Sequence, residues 1–391
     1  MEYNKYFSDY AAGMQGSAIR AMFKLMADPE VISLAGGSPA PELFPSNELA
    51  EIAKEILTNN PTVALQYGTT DGYGPLKEMS LARAKKVGAV REGDKIIITT
   101  GAQQALDLAI KALVNNDEEM VVEAPSFVGT LNSIRSYGIK MHGVSVKDDG
   151  MDMDELENVL KNNKIKMIYT IPTFQNPSGI TMSLTKRKKM LELATKYDVL
   201  ILEDNPYGDL RFSGEEVPTI KSLDTEGRVL YVGTYSKILS PGMRLGYIVA
   251  EGEFIDKIEI LKQANDVHTP VLTQMMAVEF MKKHSIDEYI AKGRELYGKK
   301  CAFMLSCMEK YLPKDVSWTK PEGGLFILCR LQPGTDSNVV LEKCLKNKVL
   351  FVAGNSFEID QTKPTSYLRL NYSTMPEEKI EIGIKRLGES L

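Results

Sequence analysis

The side chains with the most chemical potential gather in one stretch, Thr234-Tyr235-Ser236-Lys237-Ile238-Leu239-Ser240-Pro241-Gly242-Met243-Arg244. Hydroxyl residues precede a lysine, and an arginine follows seven positions later. A lysine is more often a solvated surface residue. It is also the side chain whose pKa falls readily on desolvation, which makes it a Schiff-base former. With the hydroxyls and Arg244 beside it, Lys237 reads as a reactive amine next to a phosphate cradle. A second stretch, Asp204-Asn205-Pro206-Tyr207-Gly208, follows a short apolar run. An acid at the end of a buried strand is costly unless it meets a cation or donors. Taken alone, Asp204 reads as a helix cap or a structural hydrogen bond. Taken with Lys237, it reads as the partner of a ring nitrogen. A lysine Schiff base with a carboxylate on a pyridinium nitrogen is the chemistry of pyridoxal phosphate.

Two more turns could serve the same site. Gly101-Ala102-Gln103-Gln104-Ala105 follows another apolar run and opens a helix. Small residues there let backbone N–H groups approach an anion at the helix N-terminus. A plain strand-to-helix turn is the commoner meaning of such a glycine. Pro172-Thr173-Phe174-Gln175-Asn176-Pro177-Ser178-Gly179 is a turn-rich loop with the amide of Asn176 between its prolines.

Positioning these residues requires a sheet. Near-continuous apolar runs at Lys95–Thr100, Met120–Glu123, Lys166–Ile171, Val199–Glu203, Val229–Gly233 and Leu245–Ala250 predict strands covered on both faces, in a parallel or mostly parallel sheet. Helical stretches lie between most of them. Ser183 is expected to cap a helix over 183–197, with Met190, Leu191 and Ala194 on one face. Ser46 is expected to cap one carrying Leu49, Ile52, Ala53, Ile56 and Leu57. The alternation predicts a large α/β domain over 46–283, with ligands beyond the carboxyl ends of its strands. Residues 284–391 predict a smaller α+β domain: a helix over Asp287–Leu312, β-rich pieces at Gly324–Cys329, Val349–Val352 and Tyr367–Leu370, and a helix from Pro376 to Leu387. Residues 1–45 are too few for a domain and are expected to pack on the others.

Composition excludes several classes. The 391 residues are 43% apolar and 25% charged, which rules out a disordered chain or a collagen. Lys plus Arg number 47 against 52 Asp plus Glu, a net charge of −5, so nucleic acid is not the expected partner. Cys301, Cys307, Cys329 and Cys344 form no Cys-x-x-Cys, and His142, His268 and His284 are scattered, so no metal site is expected. Scattered cysteines read as reduced thiols, which suits a cytoplasm. Met1–Arg20 has no apolar signal core, and no run is long enough to span a membrane.

Asn176, Asp204-x-x-Tyr207, Ser236-Lys237, Arg244 and Arg369 in Tyr367-Leu368-Arg369-Leu370-Asn371, together with Gly36-Gly37-Ser38-Pro39 and Glu42-Leu43-Phe44-Pro45, keep an order and spacing that is specific. Over nearly its whole length the chain resembles the fold-type I, class I/II aminotransferases. Within them it looks like the 2-aminoadipate and kynurenine branch with its multi-substrate aromatic and branched-chain enzymes. The resemblance implies a mostly parallel seven-stranded-type sheet with helices on both faces, plus the smaller domain, with the first 45 residues packed on that domain and covering the site. It implies that Lys237 binds pyridoxal phosphate covalently and shuttles a proton, that Asp204 pairs with the ring nitrogen, and that Tyr207 and Asn176 hydrogen-bond the ring's phenolic oxygen. Gly101, Ala102, Gln103 (backbone and side chain), Thr234, Ser236 and Arg244 would hold the phosphate. Phe127, in Ala124-Pro125-Ser126-Phe127, would stack on the ring. Tyr67 would reach the phosphate of a neighbouring subunit, which implies a homodimer. Arg369 would fork onto the substrate α-carboxylate, helped by Asn176 and the backbone at Gly37. Arg20, in Ser17-Ala18-Ile19-Arg20, would bind a distal carboxylate and swing away for apolar substrates.

There are departures. Ala102 stands where many relatives have serine, Phe127 where tyrosine is common in the branch, and Ala353-Gly354 where Pro-Gly is frequent. They bear on cofactor affinity and substrate preference, not on reaction class. The implied reaction is a ping-pong transfer of an amino group from a 2-aminoadipate, aromatic or branched-chain amino acid to a 2-oxo acid such as 2-oxoglutarate. The same cofactor set would serve a carbon–sulfur β-lyase, which releases pyruvate and ammonia without an acceptor; the match over residues 17–45 disfavours it. A non-catalytic aminotransferase-like sensing domain of a transcription regulator would follow a basic winged-helix segment, and Ser17 and Gly37 are expected to lie too near the start for one.

Overall fold

The computed structural model describes residues 3–8, 11 and 30–391. In chain order its strands are β1 (Ile32–Ser33), β2 (Asp94–Thr100), β3 (Glu119–Ala124), β4 (Lys140–Lys147), β5 (Gly150–Met151), β6 (Ile165–Thr170), β7 (Leu200–Asp204), β8 (Val229–Thr234), β9 (Leu245–Glu251), β10 (Ser317–Trp318), β11 (Phe326–Arg330), β12 (Val349–Leu350), β13 (Val352–Ala353) and β14 (Tyr367–Asn371). The helices used below are α1 (Ser46–Asn59), α2 (Ala102–Leu113), α3 (Val128–Ser136), α4 (Leu184–Tyr197), α5 (Ile286–Tyr311) and α6 (Glu377–Gly388).

The large sheet has the order β2-β9-β8-β7-β6-β3-β4-β5. Strands β8, β7, β6, β3 and β4 pair in parallel, while β9 is antiparallel to both β2 and β8. Six long strands therefore run one way and end at one edge of the sheet, and β9 starts there. Central strands carry the continuous apolar runs because helices cover both of their faces: all six residues of β8 are buried. The apolar stripe of α2 (Ala105, Leu106, Leu108, Ala109, Ile110) packs into the same core. A smaller antiparallel sheet, β10-β11-β14-β13, carries Arg369 on β14. It is flanked by α5 and α6, which pack on each other. The four cysteines are free and buried. Among the described residues no helix is long and apolar enough to cross a membrane.

Several details depart from the sequence reading. Strand β4 has no continuous apolar run. It lies one short strand from the sheet edge, and only Val144 along it is buried. The expected strand over Val349–Val352 is split at Phe351: β12 pairs in parallel with β1, while β13 pairs with β14. That split joins the segment around residues 32–33 to the small sheet. Ser46 does not cap α1; it is the helix's first residue, and its hydroxyl donates to the Phe44 carbonyl. Ser183 does cap α4, accepting from the Lys186 N–H, and Ser285 caps α5 in the same way.

Candidate active site

Strand direction alone collects the candidate residues. Asp204 ends β7, Thr234 ends β8, Gly101 follows β2, and the Pro172–Gly179 loop follows β6. Arg244 immediately precedes the antiparallel β9, so it stands at the same edge.

Asp204 is 3% exposed. Its Oδ2 accepts from the Tyr169 hydroxyl at 3.0 Å, whereas its buried Oδ1 has no hydrogen-bond partner. Tyr169 is in register with Leu202, and Asp204, two residues on, shares that face. Burial pushes the Asp204 carboxyl up to about 7, against the pull of Tyr169 and Lys237. A cation at Oδ1 would restore its ionised form.

Lys237 is half-buried, and its Nζ donates to the Gly37 carbonyl at 2.6 Å. The ammonium lies 5.9 Å from the centre of the Tyr207 ring. Desolvation, then the charges of Arg369 and Arg244, lower its pKa to about 8, with Asp204 opposing. Tyr207 is buried edge-on to Phe326, and burial holds its phenol well above the usual range, so the hydroxyl stays neutral. Arg369 is 2% exposed. Its Nη1 donates to Asn176 Oδ1 at 3.0 Å, and its Nη2 to the carbonyls of Ala35 (2.7 Å) and Gly36 (3.2 Å). The guanidinium carbon lies 4.2 Å from the Phe326 ring centre and 5.1 Å from that of Phe357. Burial lowers its pKa to about 10, so it remains a cation at neutral pH. Its buried Nε has no partner.

At the other end, Gly101 begins α2 with φ 78° and no side-chain cap, which leaves the N–H groups of the first turn available to an anion. A Cβ on Gly101 would lie 2.3 Å from Arg244 Nη2, and one on Gly246 would lie 2.6 Å from the Ala102 nitrogen. Both positions need glycine for this close approach. The Thr234 hydroxyl donates to Ser236 Oγ at 3.1 Å, and Arg244 Nη2 donates to the Thr100 carbonyl at 3.3 Å. Three hydroxyl or guanidinium side chains and a helix N-terminus thus converge beside Lys237.

The remaining candidates are placed differently. The Gln103 amide donates to the Gly129 carbonyl and to Ser133 Oγ, both at 3.0 Å, so its side chain is committed to α3, which leaves its backbone N–H in the first turn of α2. Phe127 lies against the same Gly129. Tyr67 is 81% exposed, and its ring makes a T-shaped contact with His268, ring centres 5.7 Å apart. Ser17 and Arg20 lie outside the described residues.

The sequence reading missed the supporting residues. Tyr169 holds Asp204, and the rings of Phe326 and Phe357 lie against Arg369. Glu123 accepts from Thr170 Oγ1 (2.7 Å), the Ile171 N–H (3.2 Å) and Gln175 Nε2 (3.1 Å), which ties the Asn176 loop to the strand leading to Phe127. Arg187 clamps the same loop through the Pro172 and Met182 carbonyls and Thr173 Oγ1. A tyrosine inside the aliphatic β6 run and an acid at the end of β3 were the available signals. Both needed strand adjacency to be interpreted.

These residues fit pyridoxal phosphate. The unpartnered Asp204 Oδ1 suits a protonated ring nitrogen, the lowered Lys237 amine suits covalent capture of a carbonyl, and the Gly101–Arg244 end suits a phosphate. Comparisons with known proteins agree. Residues 29–387 match the family described as "Aminotransferase class I and II". The chain is 45% identical to the aromatic-amino-acid aminotransferase 1 of Thermococcus litoralis, over 100% of this chain and 95% of the relative. Its structure is similar to the Pyrococcus horikoshii kynurenine aminotransferase solved in complex with PMP (TM-score 0.95, 40% identity, 100% and 97% of the two chains). It is also similar to the alpha-aminoadipate aminotransferase of Thermus thermophilus complexed with N-(5'-phosphopyridoxyl)-L-leucine (TM-score 0.93, 36% identity, 100% and 98%). Family match, fold and site chemistry lead to one conclusion: the chain belongs to the class I and II aminotransferases and is a pyridoxal-phosphate-dependent transferase of amino groups.

Proposed function

We propose that this aminotransferase takes amino acids of the 2-aminoadipate, aromatic and branched-chain type and passes their amino group to a 2-oxo acid such as 2-oxoglutarate, in a ping-pong cycle. The observation that carries the reading is Arg369. Among the described residues this buried guanidinium meets only neutral acceptors, an amide oxygen at Nη1 and two carbonyls at Nη2, and a planar α-carboxylate is the anion that its charge and end-on pair of nitrogens would favour over them. The names of the relatives supply the donor range.

Bound pyridoxal phosphate supplies an electrophilic carbon and a ring that takes up the electron pair left when the substrate Cα–H bond breaks. The residues do the rest. Gly101, Ala102 and Gln103 through their backbone, with Thr234, Ser236 and Arg244, anchor the phosphate. Asp204 Oδ1 keeps the ring nitrogen protonated. Tyr207 and Asn176 hydrogen-bond the phenolic oxygen, and Phe127 covers one ring face. Arg369, Asn176 and the Gly37 backbone hold the α-carboxylate, so that Cα faces Lys237. Lys237 Nζ takes the proton from Cα and returns it on the cofactor side. A pKa near 8 suits a group that must both accept and donate near neutral pH. Arg20 and Ser17 receive the distal end of the substrate.

The proposed assembly is a homodimer. Exposed Val63, Leu65 and Tyr67 lie on or beside an apolar groove of about 440 Å³ that Tyr73 and Val271 also line. A second copy covering this groove would bring Tyr67 to its partner's phosphate. Sedimentation is expected to give a dimer, and Tyr67→Ala should weaken cofactor retention without abolishing the fold; a fully active monomer would exclude this arrangement.

Lys237 should be the lysine that borohydride fixes to pyridoxal phosphate. Its neutral fraction grows as pH rises through about 8, so labelling should rise with a midpoint there. An ordinary lysine would titrate above about 10. Mass spectrometry placing the label elsewhere, or a midpoint above 10, refutes the assignment.

Asp204→Ala should lower the rate of the first half-reaction roughly 100- to 1000-fold, because the ring nitrogen loses its counter-charge. Near-normal single-turnover rates would remove Asp204 from the mechanism.

An amino-donor panel with 2-oxoglutarate tests the function itself, and pyruvate and ammonia appearing without an acceptor would favour the β-lyase instead. In Arg20→Gln, half-reactions of 2-aminoadipate and glutamate should weaken about tenfold to more than a hundredfold, while leucine changes little. Equal losses for leucine and 2-aminoadipate would make Arg20 a structural residue.

A further inference from the structure

We propose that Tyr297 and Lys300, on α5, are positioning residues for the substrate α-carboxylate: they brace the strap Gly36–Glu42 against the end of β14. The proposal rests on the reading above that Arg369 and the Gly37 backbone take that carboxylate.

Those two groups come from chain segments more than three hundred residues apart, and the strap between β1 and α1 has only one short 3-10 turn, Pro41–Leu43. Side chains hold it instead. The Ala35 and Gly36 carbonyls accept from Arg369, the Gly37 carbonyl from Lys237, and the Ser38 carbonyl from Ser373 Oγ at 2.7 Å. At the far end, the Ala40 N–H donates to the Tyr297 hydroxyl at 3.0 Å. Lys300 Nζ donates both to Glu42 Oε1 (2.6 Å) and to the Ser373 carbonyl (3.0 Å). One ammonium therefore ties the strap to the chain just beyond β14, the strand that supplies Arg369.

Burial of the two α5 side chains, rather than of the half-exposed Glu42, distinguishes this contact from a surface ion pair. Tyr297 is 1% exposed and the Lys300 side chain 5%. A lysine that deep is costly to hold unless its donors are used, so the pair of acceptors defines where Nζ sits. Spacing between strap and fork matters because a displacement of about 1 Å weakens both hydrogen bonds to a shared carboxylate. The hydrogen bonds of Tyr297 and Lys300 go to the strap and to Ser373, not to any residue assigned to the ring or to proton transfer. Their loss should weaken the binding of every substrate by one factor and leave the bond-breaking step alone.

The test uses holoenzyme with Lys300→Met, which leaves no buried charge, and the milder Tyr297→Phe. Single-turnover half-reactions are followed against leucine and 2-aminoadipate concentration, with the absorbance of the bound cofactor. Half-saturation should rise about five- to tenfold for both donors, by the same factor, while the saturating rate stays within about twofold and the absorbance is unchanged. Thermal unfolding that drops while half-saturation stays put would make both residues structural only. A falling saturating rate, a shifted cofactor band, or a change for one donor alone would equally overturn the proposal. Arg369→Gln, run alongside, separates the two layers. If half-saturation rises there but not in the α5 variants, the brace alone fails; if it rises in none, the carboxylate assignment fails and takes the brace with it.

Discussion

Burying the Asp204 carboxylate at the end of a central strand costs free energy that one hydrogen bond from Tyr169 does not recover, and Oδ1 is left without any partner. On the proposed reading a cationic ring nitrogen meets this need, and the large sheet's arrangement brings the other candidate groups to the same place. Strand β8, paired in parallel with β7, delivers Thr234, Ser236 and Lys237 beside Asp204. The antiparallel return through β9 starts from Arg244, and β2 on the far side of β9 opens α2 at Gly101. The nitrogen, the amine and the phosphate donors are thereby set by backbone pairing rather than by flexible side chains. This is the arrangement that pre-organised electrostatic catalysis requires.

Three cations, Lys237, Arg369 and Arg244, share the site with Asp204, and their crowding has a chemical consequence. Lys237 feels Arg369 and Arg244 as well as desolvation, and its pKa falls to about 8. Arg369 stays charged because its acceptors are fixed carbonyls and an amide oxygen, and because two aromatic rings lie within cation–π distance of it. The same burial thus prepares one cation to give up its proton and the other to keep it. Guanidinium, with its far higher intrinsic pKa, tolerates what an ammonium cannot.

A network of buried polar side chains supports these charges. Glu123 takes three donors and ties the loop of Asn176 to the strand that leads to Phe127. Arg187 also clamps this loop, and Lys300 ties the strap to the chain just beyond β14. None of these touches the site's reacting atoms, yet each fixes a segment without regular secondary structure. A loop rich in proline and glycine has no ladder of its own, so buried side chains must supply the hydrogen bonds that would otherwise be lost to water.

The α/β alternation, the central strands and the pattern from Asn176 to Arg369 were legible in the linear chain. Strands buried on both faces must be apolar throughout, and reactive residues follow strand ends at short range. The edge strand β4 was not legible, because a strand near a sheet edge need not be apolar. Nor was the split at Phe351, since which strand each half joins depends on segments hundreds of residues away. The partners of Asp204 and Arg369 were hidden for the same reason. Tyr169, Phe326, Phe357 and Lys300 look like ordinary core or helix residues until strand register and helix packing bring them to the site. Local sequence determines which groups can do chemistry and which elements carry them. Only the tertiary fold decides which of those groups are desolvated and what they face, because burial and opposing charge are properties of the assembled neighbourhood rather than of any one segment.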